Sequence, residues 1–277
     1  MNTQAQKLRE LLATKSIATA VGVYDGFTAK IVEQAGFDAA LISGAAVATS
    51  LQGLPDNGMI TLTEMADAAK RISSCVSIPV IADADNGYGN ALNVRRTVQE
   101  FELGGCAALQ LEDQASPKKC GHMDGKEVIP TIEHCRKIEM AAATRNEMLI
   151  LARTDAATVT GIDDAINRVN EYAKAGADFV IVDAPRTVED LKKIGERVQA
   201  PVMVNLVEGG KTPYLSKEEL QDLGFSIVCY PGVCTLSVIK TEKLILNELK
   251  RVGNTQKYKD FIGVLKDHND LVNNSFY

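Results

Sequence analysis

Four stretches of this chain, residues 33–42, 102–111, 173–182 and 221–230, spell one turn: EQAGFDAALI, ELGGCAALQL, AKAGADFVIV and QDLGFSIVCY. Each runs from a polar helix end, through glycine, into a short apolar run. A helix that stops on glycine and feeds such a run packs against a strand buried on both faces. Gly36, Gly104, Gly176 and Gly224 fall just past a helix, where the αβ turn requires a positive φ, and are expected to adopt it. Repetition of this unit restricts the fold to alternating β and α elements around a parallel sheet.

The strands expected on this basis are Ala18–Val23, Ala39–Ile42, Val80–Ala82, Ala108–Leu111, Leu149–Ala152, Phe179–Val182, Val202–Val204 and Ile227–Cys229. Between them, Leu62–Ser74, Ala91–Gly104, Asp163–Ala175 and Val188–Val198 carry apolar residues three and four apart and read as amphipathic helices. Nearly every strand ends in a functional group: Tyr24-Asp25, Ser43, Asp83, Glu112, Arg153-Thr154-Asp155, Asp183, Asn205 and Tyr230. An open doubly wound sheet concentrates such groups at one switch point, whereas a barrel gathers them around its C-terminal rim. Eight strands with polar ends therefore predict a (β/α)8 TIM-type barrel. The 277 residues suit one such barrel, which takes about 250. No Pro/Gly/Ser-rich linker divides the chain, so residues 1–277 are read as one domain. About residues 250–277 form a C-terminal helical extension that packs on the barrel or on a partner subunit.

Composition excludes several partners. A formal charge of −6 argues against nucleic acid and anionic membrane surfaces. No window approaches the roughly 18 apolar residues that span a bilayer. The first residues, MNTQAQKLRELLATKS, lack an apolar signal core, and six cysteines are scattered without CxxC spacing. Both features predict a reducing, cytoplasmic setting.

The chemistry concentrates at the rim. Asp83 and Asp85 alternate with Ile81 onto one side of their strand. With Glu112 on the neighbouring strand they make an oxygen-only nest suited to Mg²⁺ or Mn²⁺, which Asp56 in the GLPDNG loop could join through water. The alternative is a set of solvated rim acids or helix caps. Ser43-Gly44-Ala45 offers backbone N–H groups to an anion. Arg153 can clamp a carboxylate in bidentate fashion or form a structural ion pair with a rim acid. Asn205 and the following EGGKTP could hold an anion. Lys118-Lys119-Cys120-Gly121-His122 sets a thiol among cations in a polar loop, where its pKa is expected to fall and a proton can be exchanged. Together these parts predict a small dianionic substrate held by a divalent ion, with Cys120 as proton donor and Lys118 and His122 beside it.

The same residues carry a resemblance. KKCGH, with SGA, GLPD, DADNGYGNALNVRRTV, LQLEDQ, ARTDA and NLVEGGKTP in order over about residues 15–245, resembles the isocitrate lyase / phosphoenolpyruvate mutase superfamily. That resemblance implies α/β barrels whose last helix is swapped between subunits, usually in dimers of dimers. It implies Asp83 as direct Mg²⁺ ligand, with Asp85, Glu112 and Asp56 acting through waters. Ser43, Gly44, Ala45 and Arg153 would hold a pyruvyl-like carboxylate. His122, Asn205 and Gly121 would meet the second carboxylate or the developing oxyanion. Cys120 would donate a proton from a gating loop of about residues 115–128.

Departures narrow the branch. Ala45, Asp183 and Leu41 stand where methylisocitrate lyases often carry Gly, Glu and Tyr, and EGGKTP fits better the branch that includes dimethylmalate lyases. Pro231 aligns with a serine of the oxaloacetate hydrolases. The expected activity is Mg²⁺-dependent carbon–carbon cleavage of a 2-hydroxy dicarboxylate such as 2,3-dimethylmalate, with Asp183 among the substrate-binding residues. The rivals are 2-methylisocitrate lyase, oxaloacetate hydrolase and a P–C bond-forming mutase; a non-catalytic barrel lies further out.

Overall fold

Eight parallel strands close into a barrel in sequence order in the computed structural model, which describes residues 3–272. They are β1 (Ala18–Val23), β2 (Ala39–Ile42), β3 (Val80–Asp83), β4 (Ala108–Glu112), β5 (Leu149–Thr154), β6 (Phe179–Val182), β7 (Val202–Asn205) and β8 (Ile227–Tyr230). The barrel closes where Ala18 of β1 pairs with Ile227 of β8.

The helices are α1 (Thr3–Ala13), α2 (Gly26–Gln34), α3 (Gly44–Gln52), α4 (Leu62–Ser73), α5 (Ala91–Leu103), α6 (Thr131–Thr144), α7 (Ile162–Lys174), α8 (Val188–Arg197), α9 (Lys217–Asp222), α10 (Val233–Val252) and α11 (Leu265–Leu271). The four helices expected from periodicity are present with ends within a residue or so. The extension beyond residue 250 is helical through α11, and its last residues, 273–277, lie outside the described part.

Strand alternation divides the buried residues into two cores. Val21, Val23, Ile42, Val80, Leu109, Ile150, Val180 and Val204 face outward against the helices. Ala20, Leu41, Ile81, Ala108, Leu151, Phe179, Ile181 and Met203 fill the interior. Because side chains alternate along a strand, the inward phase continues from Leu41 to Ser43, Ile81 to Asp83, Leu151 to Arg153, Ile181 to Asp183 and Met203 to Asn205. One rule thus packs the barrel and aims its polar strand ends into the mouth.

The opposite end is stoppered by α1, an element that periodicity did not single out. Its Ala5 and Leu8 join the interior cluster, and Gln4 Nε2 donates to the carbonyls of Ser73 and Val76. Full burial of Leu8 contributes about 1.5–3 kcal/mol.

One turn glycine is corrected. Gly36, Gly176 and Gly224 adopt φ of 81°, 114° and 90° as expected, but in the second repeat Gly105 (φ 87°) takes that role. Gly104 remains right-handed at φ −69° as the C-cap of α5. The helix ends at the second residue of every repeat, Gln34, Leu103, Lys174 and Asp222, and the fourth residue is left-handed in all four; in ELGGCAALQL that fourth residue is Gly105, the second of two adjacent glycines.

Candidate active site

The rim residues surround a cavity of about 120 Å³, lined by Ser43, Ala45, Asp56, Asp83, Lys118, Cys120, Gly121, His122, Arg153, Asp183 and Asn205 on its polar side. Leu41, Val207, Pro231 and Gly232 complete the wall. Pockets for drug-sized ligands run roughly 300–1,000 Å³, so this cavity admits only a small molecule.

The acids converge by a route that differs from strand alternation. β3 ends at Asp83, and Asp85 lies beyond it in the left-handed region at φ 48°. Both carboxylates nevertheless meet at Gly44. A Cβ there would stand 2.8 Å from Asp83 Oδ2 and 3.5 Å from Asp85 Oδ1, so only glycine lets the first turn of α3 come this close. Asp83 is held by three donors: Gly44 N–H (3.3 Å) to Oδ2, and Asp85 N–H (3.1 Å) and Gln110 Nε2 (3.2 Å) to Oδ1.

Lys118 balances the nest, with its ammonium 2.5 Å from Asp56 Oδ1 and 2.6 Å from Asp85 Oδ1. Burial pushes the Asp85 carboxyl up to about 6, against the opposing pull of Lys118. Glu112 is 1% exposed, neither of its carboxylate oxygens is hydrogen-bonded, and burial drives its pKa well upward. Among the described residues, no three His, Cys, Asp or Glu side chains already stand close enough to hold a metal. The donor chemistry does fit a hard divalent cation: the ligands are oxygens, no nitrogen or sulfur ligand intrudes, and Glu112 accepts no hydrogen bond, its nearest cation being Arg153 Nε at 3.5 Å.

Ser43 caps α3, its Oγ accepting from Ala46 N–H at 3.4 Å. The Ser43-Gly44-Ala45 anion site is therefore the N-terminus of a helix, where the macrodipole favours negative charge, although Ser43 N–H is bonded to the Val23 carbonyl and Gly44 N–H to Asp83. Arg153 forms the rim ion pair. Its Nε and Nη2 fork onto Asp155 Oδ2 (2.9 Å) and Oδ1 (3.0 Å), and Nη2 also reaches Asp183 Oδ2 at 3.1 Å. Asn205 Nδ2 donates to Asp183 Oδ1 at 3.0 Å, leaving Asn205 Oδ1 buried and unpartnered. The guanidinium is thus prealigned by acids and lines the cavity as part of a charged row.

The loop bearing the thiol lies over the mouth. His122 Nδ1 accepts from Lys211 N–H at 3.0 Å, which assigns the proton to Nε2; that nitrogen is buried and unpartnered. Burial lowers the imidazole pKa, so His122 is a neutral donor beside the cavity.

The expectation for Cys120 is overturned. Burial, the largest effect, raises its pKa above the ordinary 9.0. Lys118 is committed to Asp56 and Asp85, and Lys119 Nζ turns away to Gly125 O at 2.6 Å. Neither lysine serves the thiol, which stays protonated.

Two groups that carried no assigned role also matter. Gln110, in the inward phase of β4, orients Asp83. Lys126 reaches Asp155 Oδ1 at 2.9 Å with both side chains buried. Burial pushes the Asp155 carboxyl up, but Arg153 and Lys126 more than offset it and hold it at about 2. Inward phase could have flagged Gln110; nothing in the loop's composition distinguishes Lys126 from its neighbours.

A family model described as phosphoenolpyruvate phosphomutase matches residues 8–249. The chain is 43% identical to the 2,3-dimethylmalate lyase of Eubacterium barkeri, covering 98% of this chain and 94% of that protein. It is 42% identical to the chloroplastic carboxyvinyl-carboxyphosphonate phosphorylmutase of Arabidopsis thaliana, over 96% of this chain and 80% of the relative. Its fold superposes on oxaloacetate acetylhydrolase in complex with 3,3-difluorooxalacetate with a TM-score of 0.94. That alignment has 30% identity and covers 99% of this chain and 95% of the other.

Proposed function

This chain belongs to the phosphoenolpyruvate mutase / isocitrate lyase superfamily of lyases and mutases, and from that premise we propose that it cleaves a carbon–carbon bond in a small alkyl-substituted 2-hydroxy dicarboxylate such as 2,3-dimethylmalate. The observation that carries this reading is the Cys120 thiol in the same cavity as Asp83, Arg153 and the N-terminus of α3, with desolvation raising its pKa and so favouring the protonated form.

Cleavage needs four things from these residues. One substrate carboxylate is received by Arg153 and, at the N-terminus of α3, by the Ser43 hydroxyl and Ala45 N–H, the Gly44 N–H being engaged by Asp83. The second meets His122 Nε2–H and Asn205. The 2-hydroxyl passes its proton to a carboxylate of the rim, the C2–C3 bond breaks, C2 becomes the carbonyl of a 2-oxo acid and the electron pair stays on C3. Cys120 then gives its proton to C3, releasing the carboxylate product and becoming a thiolate. Asp83 with Asp85, Glu112 and Asp56 would hold Mg²⁺ or Mn²⁺, which supplies a Lewis acid for the 2-oxygen. The closed loop excludes water from the carbanion.

A specific feature favours a dicarboxylate over the tricarboxylate of a 2-methylisocitrate lyase. The cavity's Lys118 and Arg153 are already paired with acids, and the remaining wall of Leu41, Ala45, Val207 and Pro231 offers a third carboxylate no cation. That wall suits alkyl substituents.

Oligomerisation through α10 belongs to the same proposal. Leu236, Ile239, Leu244, Leu246 and Leu249 are exposed on that helix, which buries none of its residues here. A second copy of the chain would cover them, and light scattering should then report a dimer or tetramer. Among the described residues no helix is long and apolar enough to cross a membrane.

The test, with purified protein and Mg²⁺, is release of pyruvate from alkylmalates and 2-methylisocitrate, of glyoxylate from isocitrate and of oxalate from oxaloacetate, repeated with Cys120→Ala. Loss of turnover by orders of magnitude supports a lyase. A rate largely retained points instead to P–C bond-forming chemistry, which needs no thiol donor.

A further inference from the structure

Lys126 lies six residues past the thiol, in a polar loop, yet it is 7% exposed. Lysine is almost never buried unless paired. Its ammonium makes two contacts, to the Gly121 carbonyl and, at 2.9 Å, to Asp155 Oδ1. That oxygen also accepts from Arg153 Nη2 at 3.0 Å, while Oδ2 takes Arg153 Nε at 2.9 Å. One fully buried carboxylate therefore holds both the guanidinium of the cavity wall and the loop that carries Cys120.

We infer that Lys126 is a positioning residue that latches the thiol loop shut on Asp155 and so couples loop closure to the orientation of Arg153. The contact to Gly121 makes the coupling tight. Gly121 packs directly on the Arg153–Asp183 pair, and a Cβ there would come 2.3 Å from Arg153 Nη2 and 1.9 Å from Asp183 Oδ2. The lysine that anchors the loop to Asp155 therefore also sets how closely the Cys120–Gly121 peptide approaches the guanidinium. Lifting the loop strips Asp155 of one of its two cations and leaves Arg153 as its sole counterion. Other ties also hold the loop: Lys118 pairs with Asp56 and Asp85 near the mouth, and Lys211 N–H donates to His122 Nδ1 at 3.0 Å. The remaining ion pair, Lys211 to Asp124 at 2.6 Å, involves a carboxylate side chain that is 88% exposed. Such a pair contributes little because water competes for both charges.

The inference rests on reading this cavity as the reaction site, and its test is separable from the identity of the substrate. Cys120 alkylation by iodoacetamide, followed by peptide mass spectrometry, reports loop opening in protein with and without Mg²⁺ and oxalate. In Lys126→Met the ligand-free alkylation rate should rise about tenfold, the factor by which the open population grows when the latch is lost. With an alkylmalate that the wild type turns over, kcat should fall about 10- to 100-fold while KM changes less, as expected when reacting groups are misplaced but substrate still enters. Lys126→Arg should recover most of both effects, and Asp124→Asn, which removes the exposed pair with Lys211, should stay within about threefold of wild type on both. A wild-type alkylation rate in Lys126→Met, or an equal effect of Asp124→Asn, overturns the latch. Should circular dichroism show Lys126→Met unfolded, Lys126→Gln is read in the same way, since it keeps a donor for Gly121 but loses the charge. Absence of turnover by the wild type on any alkylmalate sinks the lyase reading, while alkylation still decides the latch.

Discussion

Replacing Gly121 with alanine tests the closed site with a single methyl group. Nothing in the backbone forbids it, because Gly121 is not among the residues with positive φ. Space forbids it: the new Cβ would sit 1.9 Å from Asp183 Oδ2, against the 3.4 Å at which ordinary contact begins. The difference, 3.4 less 1.9, is 1.5 Å that one side must yield. Asp183 is 2% exposed and tied to both Arg153 and Asn205, and Arg153 is in turn forked onto Asp155. The loop therefore retreats, and Cys120 retreats with it. A displacement of about 1 Å away from reacting atoms costs about 100-fold, or ~2.7 kcal/mol of transition-state stabilisation. The barrel does not depend on this loop, so the melting temperature should move by only a degree or two. Steady-state pyruvate release and a thermal melt on the same preparation measure both quantities. A kcat within about threefold of wild type would falsify the closed geometry as the reactive one. A large fall in melting temperature would show instead that the loop is part of the folding core.

Three further outcomes are expected. EDTA should abolish turnover and Mg²⁺ or Mn²⁺ restore it, with Asp83→Ala costing more than Asp85→Ala because Asp83 is the more firmly oriented carboxylate; full activity in metal-free protein would remove the oxygen nest from the mechanism. The proposed cleavage uses the protonated thiol, and desolvation raises the pKa of the half-buried Cys120, so activity should persist through neutral pH and fall only on the alkaline side; an alkaline limb near 7 in the kcat profile contradicts the protonated donor. Asp113→Asn removes the charge that accepts from Thr154 Oγ1 (2.6 Å), Tyr172 OH (2.8 Å) and Asp155 N–H (2.9 Å) and pairs with Arg168 at 3.3 Å. It should cost about 3–5 kcal/mol and lower the melting temperature by roughly 10 °C, and an unchanged melt would show that this network carries no stability.

Most of the barrel is legible in the chain because one alternation serves two purposes. Residues such as Ile81 and Leu151 must be apolar to fill the interior, and the next inward positions, Asp83 and Arg153, leave the packed layers and enter the mouth. Reading the apolar runs therefore locates the polar ends as well, which is why the acids, Ser43, Asp183 and Asn205 all come together. Asp85 reaches the nest for a reason alternation does not supply, a left-handed turn just past β3. The α1 stopper has helical spacing too, with Ala5 and Leu8 buried and Leu11 and Leu12 partly buried against the interior, but it precedes the first strand and so falls outside the repeated β–α unit that the strand pattern picks out.

Cys120 shows where local sequence ceases to determine chemistry. Two adjacent lysines predict a lowered pKa only if their ammonium groups face the sulfur, and a side chain of four methylenes can point almost anywhere. Here the acids of the rim take Lys118, and the loop's own Gly125 carbonyl takes Lys119, so desolvation is left to govern the thiol. For the proposed cleavage this serves better than the lowered pKa that the lysines alone would predict. A carbanion at C3 needs a proton already present on its neighbour, and a thiol whose pKa is raised by desolvation presents one throughout the neutral range. The cations of KKCGH thus act at one remove: Lys118 balances the acids, and the loop they belong to delivers a neutral donor to a site crowded with charge.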